Sequence, residues 1–257
     1  MIAAMLRRLV LVWLCIAGVP AAAMVGGAPT AADDIARHVV LIVGSRGNSC
    51  TGVAVARDLV LTVAHCVLPG ADYKLVEYDS AGAPMLKDVT SVVRHPQFNL
   101  NTMLAHRATA DVALLRLAEP LPAAKAPVPV GTRVPTTIGE PFIVAGFGVT
   151  VRGDGRTGGT LRTATLVATG QPGSLQLRLV DPATRNIRSG LSACTGDSGA
   201  PVFEHAGGGL AVVGIVSWST GPQNSGGCGG LTGVTPLAPY RDWIVETARQ
   251  LGSPLGE

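Results

Sequence analysis

The chain has 257 residues, of which 47% are hydrophobic and 14% charged, with 33 glycines and 18 prolines. That length suits one large domain or two small ones with a sizeable core, and abundant turn formers without long helical periods argue for a β-rich protein. The formal charge of +3 comes with no basic stripe or polybasic run, which argues against a nucleic-acid or lipid surface as the main partner.

Residues 1–23 differ from the rest. Arg7 and Arg8 precede the apolar run LVLVWLCIAGV (9–19), then Pro20 and three alanines, Ala21 to Ala23. A charged start, a short apolar core and an A-x-A site read as a secretory signal, and the run is too short to span a bilayer, which takes about 20 residues. Its removal takes away two arginines and no acid, so the charge falls from +3 to +1 (3 − 2). The product is expected outside the cell or in the periplasm, with no membrane attachment. Of five cysteines, Cys15 leaves with the signal and Cys50, Cys66, Cys194 and Cys228 remain. An even number in an exported chain reads as two disulfides. Three pairings are open; the sequence-local one joins Cys50 to Cys66 and Cys194 to Cys228. No C-x-x-C is present, and no metal site is expected.

Past the turn-rich MVGGAPT (24–30), HVVLIVG (38–44) reads as a strand, and TGVAVARDLVLTVAHC (51–66) as a hairpin turning at Arg57-Asp58. Two further strands are expected at 73–79 and 86–95, a loop at 99–110, and a strand at 111–117 that begins at its acid. Residues 119–137 carry five prolines and form a connector. Strands follow at 141–148, 160–169, 175–181, 199–204 and 210–218, with a glycine-rich turn at 153–159. The one helix is expected in PLAPYRDWIVETARQL (236–251), where Ile244, Ala248 and Leu251 share a face. Short strands at even spacing point to a closed or sandwiched antiparallel fold.

Three patches carry chemistry. LTVAHC ends a strand with His65, DVALLRL opens one with Asp111, and SACTGDSGAP (192–201) holds Ser198. A hydroxyl that attacks, an imidazole that takes its proton and a carboxylate that fixes the imidazole tautomer form one catalytic constellation, and His…Asp…Ser is one of its known chain orders. Each patch alone is weak; together, in order, in an exported disulfide protein, they are specific.

With these motifs the chain resembles the chymotrypsin/trypsin-like serine endopeptidases over nearly all of residues 24–250. MVGG resembles the family's mature start, usually I-V-G-G. LTVAHC resembles the histidine motif, with Cys50 and Cys66 placed like its bridging pair. RHPQFN (94–99) and DVALLRL resemble the acid's surroundings, CTGDSGAP the serine motif, VGIVSW the substrate-lining strand and YRDWI the start of the terminal helix. The resemblance implies an all-β fold of two antiparallel six-stranded barrels packed together with a C-terminal helix. The first barrel would span about 24–118, the connector about 119–137, the second barrel about 138–235 and the helix about 238–250.

It further implies roles. Ser198 is the nucleophile, His65 the base and then acid, and Asp111 the group that orients His65. The N–H groups of Gly196 and Ser198 form an oxyanion hole. Asp197 turns inward to pair with the new amine of Met24, freed directly by signal cleavage since no propeptide separates Ala23 from Met24. Ser192 lies at the base of the specificity pocket, Gly233 matches another pocket position, and Ser217, Trp218 and Ser219 form a wall. An uncharged base favours an apolar or aromatic residue before the cut bond. No cofactor is implied; partners are protein or peptide substrates and possible protein inhibitors, met by a monomer. Departures touch the pocket rather than the triad: Met24 for isoleucine, Ala200 for glycine, Phe147 for tryptophan, Thr235 for tyrosine, Ser219 for glycine, and no third disulfide in the second half. His38, His95, His106 and His205 are read as structural or surface residues, and Glu77 and Asp79 lie in a loop where some relatives bind calcium. Two other functions share this fold: a binding protein that has lost catalysis, and an esterase using the same site.

Overall fold

The structure, a computed structural model, describes residues 24–79, 81–105, 107–133, 137–170 and 175–256. The signal expected at 1–23, His106, and residues 134–136 of the connector lie outside the described residues.

Six strands form the first barrel: β1 (Val39–Gly44), β2 (Ser49–Ala56), β3 (Leu59–Thr62), β4 (Tyr73–Tyr78), β5 (Pro84–Arg94) and β6 (Ala113–Leu117). They run in the order β1-β2-β3-β6-β5-β4, and pairing of Leu41 with Val76 closes the ring. β-Branched residues dominate because they fit a pleated, half-buried surface. The alternation is clear in β4, where Tyr73, Leu75 and Glu77 are buried and their neighbours are not. β3 is buried along its whole length. The hairpin turns at Arg57-Asp58, as its polar pair predicts.

The second barrel repeats the plan with β7 (Pro141–Gly146), β8 (Arg162–Gly170), β9 (Leu177–Val180), β10 (Pro201–Ala206), β11 (Gly209–Ser219) and β12 (Thr232–Pro236), in the order β10-β11-β12-β9-β8-β7. Pairing of Val202 with Val144 closes it. The fold is thus the two six-stranded antiparallel barrels that the resemblance implies.

Local departures have local causes. Residues 232–236 are a strand and residues 238–240 a single 3₁₀ turn, so the terminal helix is shorter than 236–251. Pro236 and Pro239 keep the chain out of an α-helix until α3 (Arg241–Gln250). Two further helices, α1 (Asp33–Ala36) and α2 (Leu100–Leu104), are single turns, the second within the expected loop 99–110, and the Asn99 side chain caps α2 by accepting the Thr102 N–H at 2.9 Å. α3 buries Ile244, Thr247 and Ala248 at i, i+3 and i+4, and Arg116 of β6 donates to the Leu251 carbonyl at 3.1 Å, tying the helix end to the first barrel.

The barrels meet along a seam of backbone and hydroxyl bonds. Thr51 of β2 donates its N–H to Ser198 O at 2.8 Å and its hydroxyl to Gly196 O at 2.9 Å, while accepting the Phe147 N–H at 3.1 Å. One buried threonine of the first barrel therefore positions two loops of the second. The connector lies against both barrels: Val128 N–H donates to Ala54 O, and Val130 bridges Val212.

Candidate active site

His65 sits in a 3₁₀ turn, Ala64–Cys66, directly after β3, with Ala64 and Cys66 buried. Asp111 precedes β6 by two residues, so the expected strand starts at Ala113 instead, leaving the acid on a turn. There its carboxylate is fully engaged. Oδ1 accepts the His65 backbone N–H at 2.9 Å, and Oδ2 lies 2.7 Å from His65 Nδ1 and accepts the Ser217 hydroxyl at 2.6 Å. A buried carboxylate on Nδ1 fixes the tautomer whose Nε2 is free to take a proton. Ser217, expected on the pocket wall, is instead turned to Asp111: its hydroxyl needs a partner once buried, and the carboxylate supplies it.

Ser198 lies on the loop between Cys194 and β10. His65, Ser198, Gly196, Cys194, Thr195, Trp218 and Ser219 all line one cleft of about 360 Å³ between the barrels. Ser198 Oγ makes no hydrogen bond to the His65 ring among the described residues; the two groups meet as walls of this cleft. Gly196 adopts φ +96°, where a side chain is strained, and a Cβ there would lie 2.9 Å from Gly148 Cα. Along this loop the N–H of Asp197 donates to Cys194 O at 3.0 Å and that of Gly199 to Val216 O at 2.7 Å. Those of Gly196 and Ser198, on either side of Asp197, donate to no atom among the described residues.

Asp197 turns away from Ser198 into the second barrel. Its carboxylate is wholly buried and accepts the N–H of Gly148 on Oδ1 and of Cys194 on Oδ2, each at 2.8 Å. Burial pushes its pKa up to about 7 against the lowering effect of those two donors. Gly148 and Gly146 make room for it; a Cβ on either would fall within 2.5 Å of the carboxylate. Met24 is buried in the same barrel core as Ala193 and Ala200, and Val25 bridges Ser192. In the intact chain the Met24 nitrogen is a peptide nitrogen.

The remaining expected pocket residues separate. Trp218 and Ser219 line the cleft; Ser192 and Gly233 do not. Ser192 is fully buried, donates to Ala193 O at 3.0 Å and accepts the Gly229 N–H at 2.6 Å. Gly233 lies under the Trp218 ring, which a Cβ would approach to 1.9 Å. The four cysteines pair as Cys50–Cys66 and Cys194–Cys228, settling the open choice in favour of the sequence-local one. Each bond borders a functional turn, at His65 and at Gly196.

Other candidates have structural surroundings. His38 faces Ala126 O through Nδ1 at 2.7 Å, and His95 stacks edge-on against Tyr240 and Trp243. Glu77 faces inward near Lys125, and burial raises its pKa; Asp79 folds back on the N–H groups of Ala81 and Ala83. Among the described residues no cluster of three or more metal-ligating side chains occurs. Sequence reasoning missed Thr51, Gly148 and Ser217's role, which act by contacts across the seam that no local motif encodes.

Comparisons with known proteins identify the family. The family model for Trypsin matches residues 24–244. The chain is 29% identical over 219 residues to the trypsin of Phaedon cochleariae, covering 77% of this chain and 78% of that one. It is 30% identical over 231 residues to the vitellin-degrading protease of Bombyx mori, covering 84% and 82%. Trypsin alpha of Drosophila melanogaster is 28% identical over 242 residues, covering 89% and 88%. The chain belongs to the trypsin family of serine proteases.

Proposed function

We propose that the chain is a secreted serine endopeptidase that cleaves peptide bonds through an acyl-enzyme. The observation that carries this reading is the pairing of His65 with a buried, fully engaged Asp111 on the wall of the cleft that also holds Ser198. In it, Ser198 Oγ attacks the scissile carbonyl while His65 Nε2 takes the proton. The tetrahedral oxygen is met by the unengaged N–H groups of Gly196 and Ser198. His65 then returns the proton to the leaving amine, and water repeats the sequence on the ester. Asp111 holds the imidazole in place and offsets its charge.

The preferred residue before the cut bond is apolar or aromatic. Trp218 presents an aromatic wall, and Ser192, already satisfied by Ala193 and Gly229, offers no carboxylate to a cation. A buried lysine or arginine side chain would stay uncompensated. Signal removal after Ala23 would free the Met24 amine next to the core that holds Asp197, and their ion pair would keep the Gly196 loop in its active shape. No helix among the described residues is long and apolar enough to cross a membrane.

The test has two arms. A fluorophosphonate probe should label wild type and not Ser198→Ala, and an unlabelled wild type would favour a binding protein on this fold. Digestion of a peptide library should give ends after Phe, Tyr, Leu or Met. A digest dominated by Lys and Arg ends would overturn the specificity, and ester turnover without any peptide cleavage would make the chain an esterase.

A further inference from the structure

Trp218 is the largest side chain that lines the cleft, and a cation stands over its ring. Gly233 of β12 pairs with Trp218 of β11 on one side and with Arg178 of β9 on the other. Directly paired residues of antiparallel strands project to the same face, so the three form one row. The missing side chain at Gly233 lets the indole lie across β12. The Arg178 guanidinium carbon sits 6.0 Å from the ring centroid. A tryptophan face attracts a guanidinium but is not a counter-ion.

Arg178 lacks one. Its Nε is buried and donates to nothing, and among the described residues no carboxylate pairs with it. Two acids on segments of the same barrel are engaged elsewhere. Asp154 pairs with Arg156, and Asp181 gives its oxygens to the N–H groups of Ala183 and Leu191 and to the Thr184 hydroxyl. A second cation stands on the same rim: Arg152 donates to Gly226 O at 3.1 Å, beside Gly227, whose carbonyl accepts from Ser219 of the cleft wall. Neither arginine lines the cleft itself; Arg178 stands over its wall residue Trp218 and Arg152 reaches the Gly226 segment beside Ser219, and among the described residues neither forms an ion pair. A guanidinium fork matches a carboxylate in two parallel hydrogen bonds, and partial removal from water strengthens the pair.

We propose that Arg178 is a specificity-determining residue that receives an Asp or Glu side chain of the substrate, close to the apolar residue that enters the cleft. The proposal rests on the peptidase reading above and adds a second substrate determinant to it.

The experiment uses peptides with one apolar cut residue and a single Glu or Gln walked through the four positions on either side. For at least one position the secreted protein should cleave the Glu peptide about tenfold faster in kcat/KM than its Gln twin. That ratio should shrink in high salt, where exposed charges are screened. Arg178→Gln should bring it to about one, and Arg178→Glu should invert it in favour of a Lys peptide. The same peptides are titrated calorimetrically against Ser198→Ala, where the Glu peptide should bind about tenfold tighter, and against Ser198→Ala with Arg178→Gln, where the difference should vanish. Binding needs no turnover, so it reads Arg178 whatever the catalytic reading does. Discrimination in binding without hydrolysis by the wild type sinks the peptidase reading alone. No Glu preference in either arm, or an equal loss for both twins in Arg178→Gln, overturns the role of Arg178.

Discussion

In the first barrel, His65 stands on a buried turn and its partner Asp111 has three donors within 2.9 Å, two of them from His65 itself. In the second, Ser198 stands on a loop whose glycines at 196 and 199 both take left-handed φ values, +96° and +83°. The anchor of that loop, Asp197, has two backbone donors and no charged partner among the described residues, and burial pushes its pKa up to about 7. Both barrels are six strands, closed, with a disulfide beside the functional turn. The difference lies in charge. Folding alone satisfies the Asp111 carboxylate, with two donors from His65 and one, the Ser217 hydroxyl, reaching over from β11 of the second barrel, whereas the carboxylate of Asp197 is buried short of a cation. The His65–Asp111 pair is thus built in, and the loop of Ser198, the proposed nucleophile, is open to control by whatever reaches Asp197.

Removing the attacking group tests the second barrel most severely. Ser198→Ala should cut peptide turnover about 10⁵–10⁶-fold with an unchanged melting temperature, because the hydroxyl accounts for little packing. Near-normal cleavage would end the assignment. Asp111→Asn breaks the first barrel's pair and should lower kcat about 10⁴-fold. An amide donates where the carboxylate accepts, so it forces the wrong tautomer on His65. Single-turnover assays on both variants should rank them in this order, and an Asn variant as active as wild type would show that Asp111 only braces the turn.

The disulfides give a smaller, more graded comparison. Their ends are 16 and 34 residues apart, and each should stabilise by about 3 kcal/mol on the loop-entropy view. Replacing Cys50 and Cys66 by alanine should lower the denaturation midpoint but leave activity per folded molecule near normal, since Asp111 still grips His65. Replacing Cys194 and Cys228 should lower both, because the bond holds the turn whose backbone N–H at Cys194, retained in alanine, must stay aimed at Asp197. Equal activity losses in the two double variants would remove the proposed asymmetry.

How much of this was legible in the sequence follows the same division. Strands such as 38–44 and 73–79, and the turn at Arg57-Asp58, could be read because alternation and turn chemistry are local. The patches around His65, Asp111 and Ser198 could be read because each motif sits on contiguous residues. What escaped is set by approach between distant segments. Ser217 reaches Asp111 across 106 positions of sequence, and Thr51 reaches Gly196 across 145. Gly233 is a glycine because an indole lies on it, a reason invisible in T-G-V. The terminal helix begins only at Arg241 because Pro236 and Pro239 keep residues 236–240 out of the α-helix, against the apolar period that continues through them.

The mildest effect is expected at the amino terminus, where the charge comparison is sharpest. In a chain that retains Ala23, the folded pKa of Asp197, near 7, stands above the ordinary 3.8. The folded state then holds this proton more tightly than the unfolded one, so the contribution is fully present below pH 3.8 and is lost as pH rises through 7. A chain that begins at Met24 brings an amine whose ordinary pKa is roughly 7.7–8.0. An ionised Asp197 beside it would raise that value. The amine's stabilisation is fully present below its unfolded pKa and lost as pH climbs through the raised folded one. The two forms should therefore melt closely at pH 5 and separate by a few degrees at pH 8, then converge again in alkali as the amine loses its proton. Activity should follow, with the Ala23-retaining form about tenfold slower at pH 8. Melting curves and peptide assays on both forms across pH 5–11 check this, together with N-terminal sequencing of the secreted product. Superimposable curves, or a secreted protein that begins elsewhere, would leave Asp197 as a packing residue and return control of the Gly196 loop to the disulfide beside it.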